Sequence, residues 1–229
     1  MGLDQIEAAF IYFIIAAIVM HITGLVLIAM IQMEFYKKYT SYESFSEKKI
    51  VSSNWKLFNQ IKPLCLSACG ILFITYFTFG VCVRVISTTN DKKWAEMFFQ
   101  PVGTFLLFNM GDLLGRQLPR WISRPHSRPF LYVLVFLRVL FIPLFLFCNT
   151  DIRLLPLYFH HDAAYIILVS LFSISNGYLS AICQMHAPKI VSSEDAEKAG
   201  TMMAASNGLG FLLGSILLFL IVGLPHLLV

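Results

Sequence analysis

Charge is scarce in this sequence. Only 13% of its 229 residues are Asp, Glu, Lys or Arg, against roughly 25% in an ordinary soluble domain. Hydrophobic residues make up 58%, Phe alone supplies 21, and the mean hydropathy is +0.74. That balance excludes a water-soluble domain and predicts an integral membrane protein. Other patterns are absent altogether. None of the five cysteines (Cys65, Cys69, Cys82, Cys148, Cys183) forms a C-x-x-C pair, so each reads as a small packing residue rather than as a metal ligand or a disulfide half. No N-x-S/T glycosylation acceptor occurs, and no basic stretch precedes the first apolar run as it would in a cleavable signal peptide. There is no H-E-x-x-H, no P-loop and no second aspartate inside an apolar run. Hydrolysis within a membrane needs a metal, an acid–base pair or an activated nucleophile. No enzyme, no catalytic residue, no metal and no cofactor are therefore expected.

Six apolar runs are present, at roughly 8–33, 63–87, 98–120, 130–149, 163–186 and 200–224, each near the ~20 residues that a spanning helix needs. No run alternates with period two, which argues for helices rather than a barrel, because helices satisfy their own backbone groups in lipid. The expected fold class is an all-α polytopic membrane protein with six transmembrane helices. Residues 1–34 form the first helix, 35–62 a connector and 63–229 a five-helix bundle.

Basic residues orient the chain. The first connection, "EFYKKYTSYESFSEKKIVSSNWKLFNQIK", carries Lys37, Lys38, Lys48, Lys49, Lys56 and Lys62. The third carries Arg116, Arg120, Arg124 and Arg128, and the fifth Lys189 and Lys198, which places twelve of the seventeen Lys and Arg on one side. The positive-inside rule makes that side cytosolic and puts both termini outside. An outside N-terminus without a signal peptide suits a chain that continues further helices, so a part of a longer protein is expected. The Lys/Ser/Glu-rich first connection has no core of its own and reads as a cytosolic linker.

Charge reappears where it is most expensive. In "FLLFNMGDLLGRQLPRW" (105–121) Asp112 and Arg116 sit inside an apolar run, where a charge at the bilayer centre costs roughly 2.5–3.5 kcal/mol on insertion scales. Phe105, Asn109, Asp112 and Arg116 recur at helical spacing and form one stripe. Gly111 and Gly115 make a G-x-x-x-G step that invites a close neighbouring helix. Two readings stand. The pair is an internal staple, with Arg116 snorkelling to the interface, or it lines a hydrated path. For the second, Asp112 accepts from hydroxyls, Arg116 donates, Asn109 does either, and Phe105 can stack on a flat ring. Arg138 lies within another span and needs an inward partner, for which Asp112 is a candidate. Asn176-Gly177-Tyr178 supplies either a polar wall or a close-packing step. His160-His161-Asp162 reads as interfacial polarity. His21, in the middle of a span, could titrate.

Five ordered motifs resemble those of the equilibrative nucleoside transporters (solute carrier family 29). "FNMGDLLGR" matches the F-N-x-x-D-x-x-G-R signature, and "LRVLFIPLFLFCN", "SNGYLSA", "PKIV" and "AEKAGTMMA" follow in order. "AAFIYFIIA" near the start resembles the family's sixth helix. The resemblance implies the C-terminal part of a major-facilitator-like transporter, covering helices six to eleven of eleven, which moves nucleosides such as uridine and adenosine, and also nucleobases, by alternating access. It implies substrate contacts at Asn109, Asp112, Arg116 and Phe105, and cavity or structural roles for Arg138, Asn176 and Cys82. Cys82-Val83 stands where relatives often have Phe-Pro. The implied partners are a nucleoside, the lipid bilayer and the remaining N-terminal helices, with no nucleic acid polymer. The implied location is the plasma membrane or an endosomal or lysosomal membrane. The alternative is a non-transporting partial isoform or a regulatory fragment of such a transporter.

Overall fold

The computed structural model describes residues 2–38, 54–89, 91–122, 128–151 and 156–227. The chain is an all-α polytopic membrane protein. Helix α1 spans Gly2–Gln32 and α2 Asn54–Cys82. A π-helical segment, Trp94–Leu106, runs into α3, Leu107–Gln117, and ends in a 3-10 turn at Leu118–Arg120. Then come α4 (Arg128–Leu137), a 3-10 turn at Arg138–Leu140, α5 (Phe141–Leu146), α6 (Asp162–Ile190) and α7 (Ala196–Leu227). Four of these, in α1, α2, α6 and α7, are long and apolar enough to cross a membrane. The third and fourth apolar runs of the sequence are helical too, but broken into segments rather than continuous.

The breaks have local causes. Pro101 lies inside the π segment and offers no N–H to an α-helical ladder, so the turn widens around it. Pro143 leaves the carbonyl four residues back without its usual donor, and the chain tightens to 3-10 just before it. The second helix extends ahead of its apolar run. It begins at Asn54, within the expected connector, because Leu57, Ile61, Leu64 and Cys65 recur on one face and are buried in the core. The rest of that connector lies largely outside the described residues.

The chain divides into two units, Met1–Val51 and Ser52–Val229. In the first, the apolar stretch Phe13–Gln32 of α1 buries none of its described side chains, as suits a helix solvated by lipid. In the second, α2 packs along α7 and α3 along α6. Two apolar clusters hold it together. One joins Ile61, Leu64 and Ile71 of α2 to Ile182 and Cys183 of α6 and Met203 of α7. The other joins Cys82, Phe99, Phe145, Tyr165 and Phe172. Cys82, a candidate for a cavity or a structural role, is buried in this second cluster.

Asp162, at the N-terminal end of α6, ties one end of this bundle. Its carboxylate accepts from Ser87 Oγ, from Thr88 N and Thr88 Oγ1 (each 2.7 Å), from Thr89 Oγ1 (3.0 Å) and from Trp94 Nε1 (3.2 Å). The same loop pairs Val85 with Thr150, and Arg84 with Asp151 at 3.1 Å. Asp162→Asn removes acceptor capacity that these donors share. The purified chain should lose about 1–3 kcal/mol of stability, read as a fall of several degrees in its thermal unfolding midpoint, and an unchanged midpoint would show the knot to be idle.

Candidate functional site

Close approach of α3 and α6 builds the site. A Cβ at Gly177 would lie 2.8 Å from Arg116 N and press on Asp112 O; one at Gly115 would lie 2.9 Å from Tyr178 N; one at Gly111 would press on the Ser173 side chain. The G-x-x-x-G step therefore receives the helix that the sequence said it would, and Gly177 is the matching small residue. Asn176, next to Gly177, is brought against Asp112 by this crossing.

Asp112 and Arg116 pair at i, i+4, with Arg116 Nε donating to Asp112 Oδ2 at 2.8 Å. The other carboxylate oxygen, Oδ1, accepts from Asn176 Nδ2 at 2.7 Å. Asn176 Oδ1 in turn accepts from Arg138 Nη2 (3.1 Å) and lies 2.7 Å from Thr75 Oγ1, whose hydroxyl it shares with Ile71 O. Arg138 also donates from Nη2 to Thr75 Oγ1 (2.9 Å) and from Nη1 to Phe172 O (3.1 Å) and Ser175 Oγ, and its guanidinium lies 4.4 Å from the centre of the Phe172 ring. α2, α3, the Arg138 turn and α6 thus meet in one polar network.

Burial falls off steadily through it. Arg138 is 1% exposed, whereas the Asp112 and Arg116 side chains are 18% and 44% exposed. Burying a guanidinium in apolar surroundings is costly unless it finds acceptors, and here backbone, hydroxyl and amide oxygens meet Nη1 and Nη2 while the Phe172 ring lies against the group; Nε has no hydrogen-bond partner among the described residues. Arg138 does face inward, as the sequence requires. Asn176 stands between it and Asp112, the candidate partner. Asn176 and Gly177 answer the two readings of their motif separately, one in the polar network and the other at the helix crossing.

The remaining stripe residues lie at the open side. Asn109 is exposed, with Nδ2 turned back to Phe105 O at 2.8 Å. Phe105 is 46% exposed and stacks on Phe79 with ring centres 5.9 Å apart. Tyr76 lies within electrostatic reach of Asp112 and meets Phe211 edge-on at 4.7 Å. Thr75 and Ser175, which sequence reasoning did not single out as site residues, matter here as acceptors for Arg138. A hydroxyl within an apolar run signals a polar contact but not which one.

An open groove of about 690 Å³ between α2 and α4, lined by Leu66, Ile74, Val135, Phe136, Lys62 and Ser67 among others, includes no residue of this network. Its apolar walls suit lipid better than a polar solute. His160 and His161 stand beside the Asp162 knot, with His160 Nδ1 3.1 Å from Tyr158 O. His21 bonds Ala17 O at 2.7 Å on exposed α1. No cluster of three or more His, Cys, Asp or Glu able to hold a metal occurs among the described residues. The arrangement can present a carboxylate, a guanidinium and an amide to a neutral, hydroxylated solute beside an aromatic surface.

Comparison with known proteins agrees with the motifs. A family model described as nucleoside transporter matches residues 42–223. Equilibrative nucleoside transporter 1 of Homo sapiens is 34% identical over 254 residues, covering 96% of this chain and 56% of the human protein. Equilibrative nucleoside transporter 2 of Homo sapiens is 38% identical over 162 residues, covering 70% of this chain and 35% of its own length. Equilibrative nucleotide transporter 8 of Arabidopsis thaliana is 25% identical over 150 residues, covering 66% of this chain and 37% of its own. The chain spans about half the length of the first of these relatives.

Proposed function

The chain belongs to the equilibrative nucleoside transporter family, and from that premise we propose that it supplies the C-terminal side of a path along which nucleosides cross a membrane without ATP. Solute meets the open face of α3. Asp112 accepts from sugar hydroxyls, Arg116 donates to them, Asn109 does either, and Phe105 stacks on the base. The observation that carries this reading is the Asp112–Arg116 pair itself. It is anchored from behind by Asn176 and Arg138, yet part of both side chains remains exposed. A pair serving only to staple α3 would not need that anchor.

Alternating access would then be rocking of this side against a second bundle around the central site. The names of its relatives support nucleosides as the substrate class; uridine and adenosine are the first to try. The partners are helices of the kind that make up the remainder of those relatives. In cells lacking nucleoside uptake, the chain expressed alone should insert and transport weakly. Co-expression with the N-terminal half of human equilibrative nucleoside transporter 1 should raise saturable uridine uptake. Strong saturable uptake by the chain alone would contradict the shared path. No uptake in either arrangement would favour the second reading, a regulatory fragment, which the half-length match also suits.

The distribution of Lys and Arg supports an orientation as well. With the connector 35–62 in the cytosol and six crossings, a tag inserted near residue 45 should resist protease added outside intact cells of the plasma membrane, or inside organelles if the protein resides there, and should be cleaved after permeabilisation. Cleavage before permeabilisation would reverse the orientation.

A further inference from the structure

Each end of the Asn176 side chain meets a group of fixed hydrogen-bonding character. A guanidinium has five N–H donors and no acceptor. Arg138 Nη2 lies 3.1 Å from the Asn176 amide, so the amide oxygen must face Arg138, and its NH2 group must face the other way. The other way is Asp112 Oδ1, at 2.7 Å. Thr75, a hydroxyl that can donate or accept, fits this orientation without choosing it. Asp112 Oδ2 is held by Arg116 Nε at 2.8 Å. Each carboxylate oxygen thus receives one donor from the protein and keeps a further lone pair for a ligand.

We propose that Asn176 is the positioning residue of the solute site: Arg138, which never touches the carboxylate, orients the Asn176 amide, and the amide in turn aims and holds Asp112. Arg138 is a buried charge whose function is exerted through a neutral relay. The relay also settles a chemical point, since an amide between Arg138 and Asp112 keeps the guanidinium from closing directly on the carboxylate. A direct bidentate pair would occupy the lone pairs that a sugar hydroxyl needs. Among the described residues, the charged and titratable groups around Asp112 are Arg116 on its own helix, Arg138 on the turn beyond α4, and Tyr76 on α2, with Asn176 the contact from α6. The inference rests on the solute reading for its purpose, though its spectroscopic test does not.

The decisive substitution is Asn176→Asp. It is close to isosteric, keeps an oxygen for Arg138, and replaces the NH2 group with a second oxygen facing Asp112. Two carboxylates at hydrogen-bond distance cannot both ionise freely and share a proton instead. Purified chain in lipid nanodiscs, examined by infrared spectroscopy without solute at about pH 7, should show one protonated carboxyl per chain in Asn176→Asp that the parent chain lacks, and the band should vanish in the Asp112→Asn/Asn176→Asp double variant. A variant that folds and shows no such band overturns the proposal. If Asn176→Asp does not fold, the parent chain with isotope-labelled asparagine decides the matter by NMR. The Asn176 side-chain resonance should shift on Asp112→Asn, and an unmoved resonance overturns the contact. In uptake assays Asn176→Asp should lose activity, several-fold relative to the parent's own pH profile, as pH rises and the shared proton is removed. A merely structural role would lower uptake equally at every pH, and that result also overturns the proposal. Because the spectra are taken without solute, their failure would leave the nucleoside reading standing, and failure of nucleoside uptake would leave the relay standing.

Discussion

Asp112→Asn is expected to cut nucleoside uptake by about tenfold to a hundredfold at unchanged protein level. The substitution keeps the shape and removes the charge. One charge-assisted hydrogen bond to a sugar hydroxyl is lost, worth roughly 1.5–3 kcal/mol, and every 1.4 kcal/mol or so is a factor of ten in affinity. The structure makes the change well defined. Asn176 and Arg116 both donate to Asp112, and an amide at 112 can accept from only one of them on its oxygen while its own NH2 group faces the other donor. Arg116→Ala should reduce uptake to a similar degree, because it removes a donor to the solute and the ion-pair partner of Asp112 together. Arg116→Lys should recover part of the loss but not all, since an ammonium does not reproduce the planar guanidinium fork. Radiolabelled uridine uptake, normalised to protein in the membrane, checks all three. Uptake by Asp112→Asn within twofold of the parent would remove the carboxylate from the substrate path.

Gly177→Ala should destabilise the fold strongly. The new Cβ would press on Asp112 O and lie 2.8 Å from Arg116 N, both backbone atoms of α3 that no side-chain rotation can move. The helices must separate, and with them the Asn176–Asp112 contact. Overpacking of this kind costs typically about 1–3 kcal/mol and occasionally more. Gly208→Ala is the control, since nothing stands within 4 Å of its Cβ position, and replacing an interior helical Gly by Ala is otherwise mildly favourable. Thermal unfolding of the purified chain should therefore fall clearly for Gly177→Ala and hold or rise for Gly208→Ala. Equal midpoints would mean that α3 and α6 do not cross as closely as described.

Much of this architecture was legible in the residues. Apolar runs mark the helices because lipid leaves few alternatives, and the G-x-x-x-G step at Gly111 and Gly115 does meet a close partner. The Asp112–Arg116 pair follows from spacing alone. Arg138 had to face inward for energetic reasons, and it does. The identity of its partners was not legible, because Asn176, Thr75 and Ser175 lie 38, 63 and 37 positions away, and only the packing of three other segments brings them together. The helix that begins at Asn54 reaches into the Lys-rich stretch, where Leu57 and Ile61 carry its buried face. The π and 3-10 breaks could have been suspected from Pro101 and Pro143, but proline marks a disturbance without stating its form. Asn109 shows the limit of stripe arguments: it lies on the expected face, and its amide is turned back to its own helix.

The question of whether the Asp112–Arg116 pair serves the solute or only the helix has a direct test in the doubly neutral variant Asp112→Asn/Arg116→Gln. Neutralising both partners together removes the ion pair without leaving a lone buried charge, so protein level should stay near that of the parent. The measurement is saturable uridine uptake per membrane-inserted molecule, with the chain co-expressed beside the N-terminal half of human equilibrative nucleoside transporter 1. A solute site predicts normal abundance with uptake reduced at least as far as in Asp112→Asn alone. A staple predicts that the double variant regains both abundance and transport, and uptake at the parent's rate would contradict the assignment of Asp112 and Arg116 to the nucleoside.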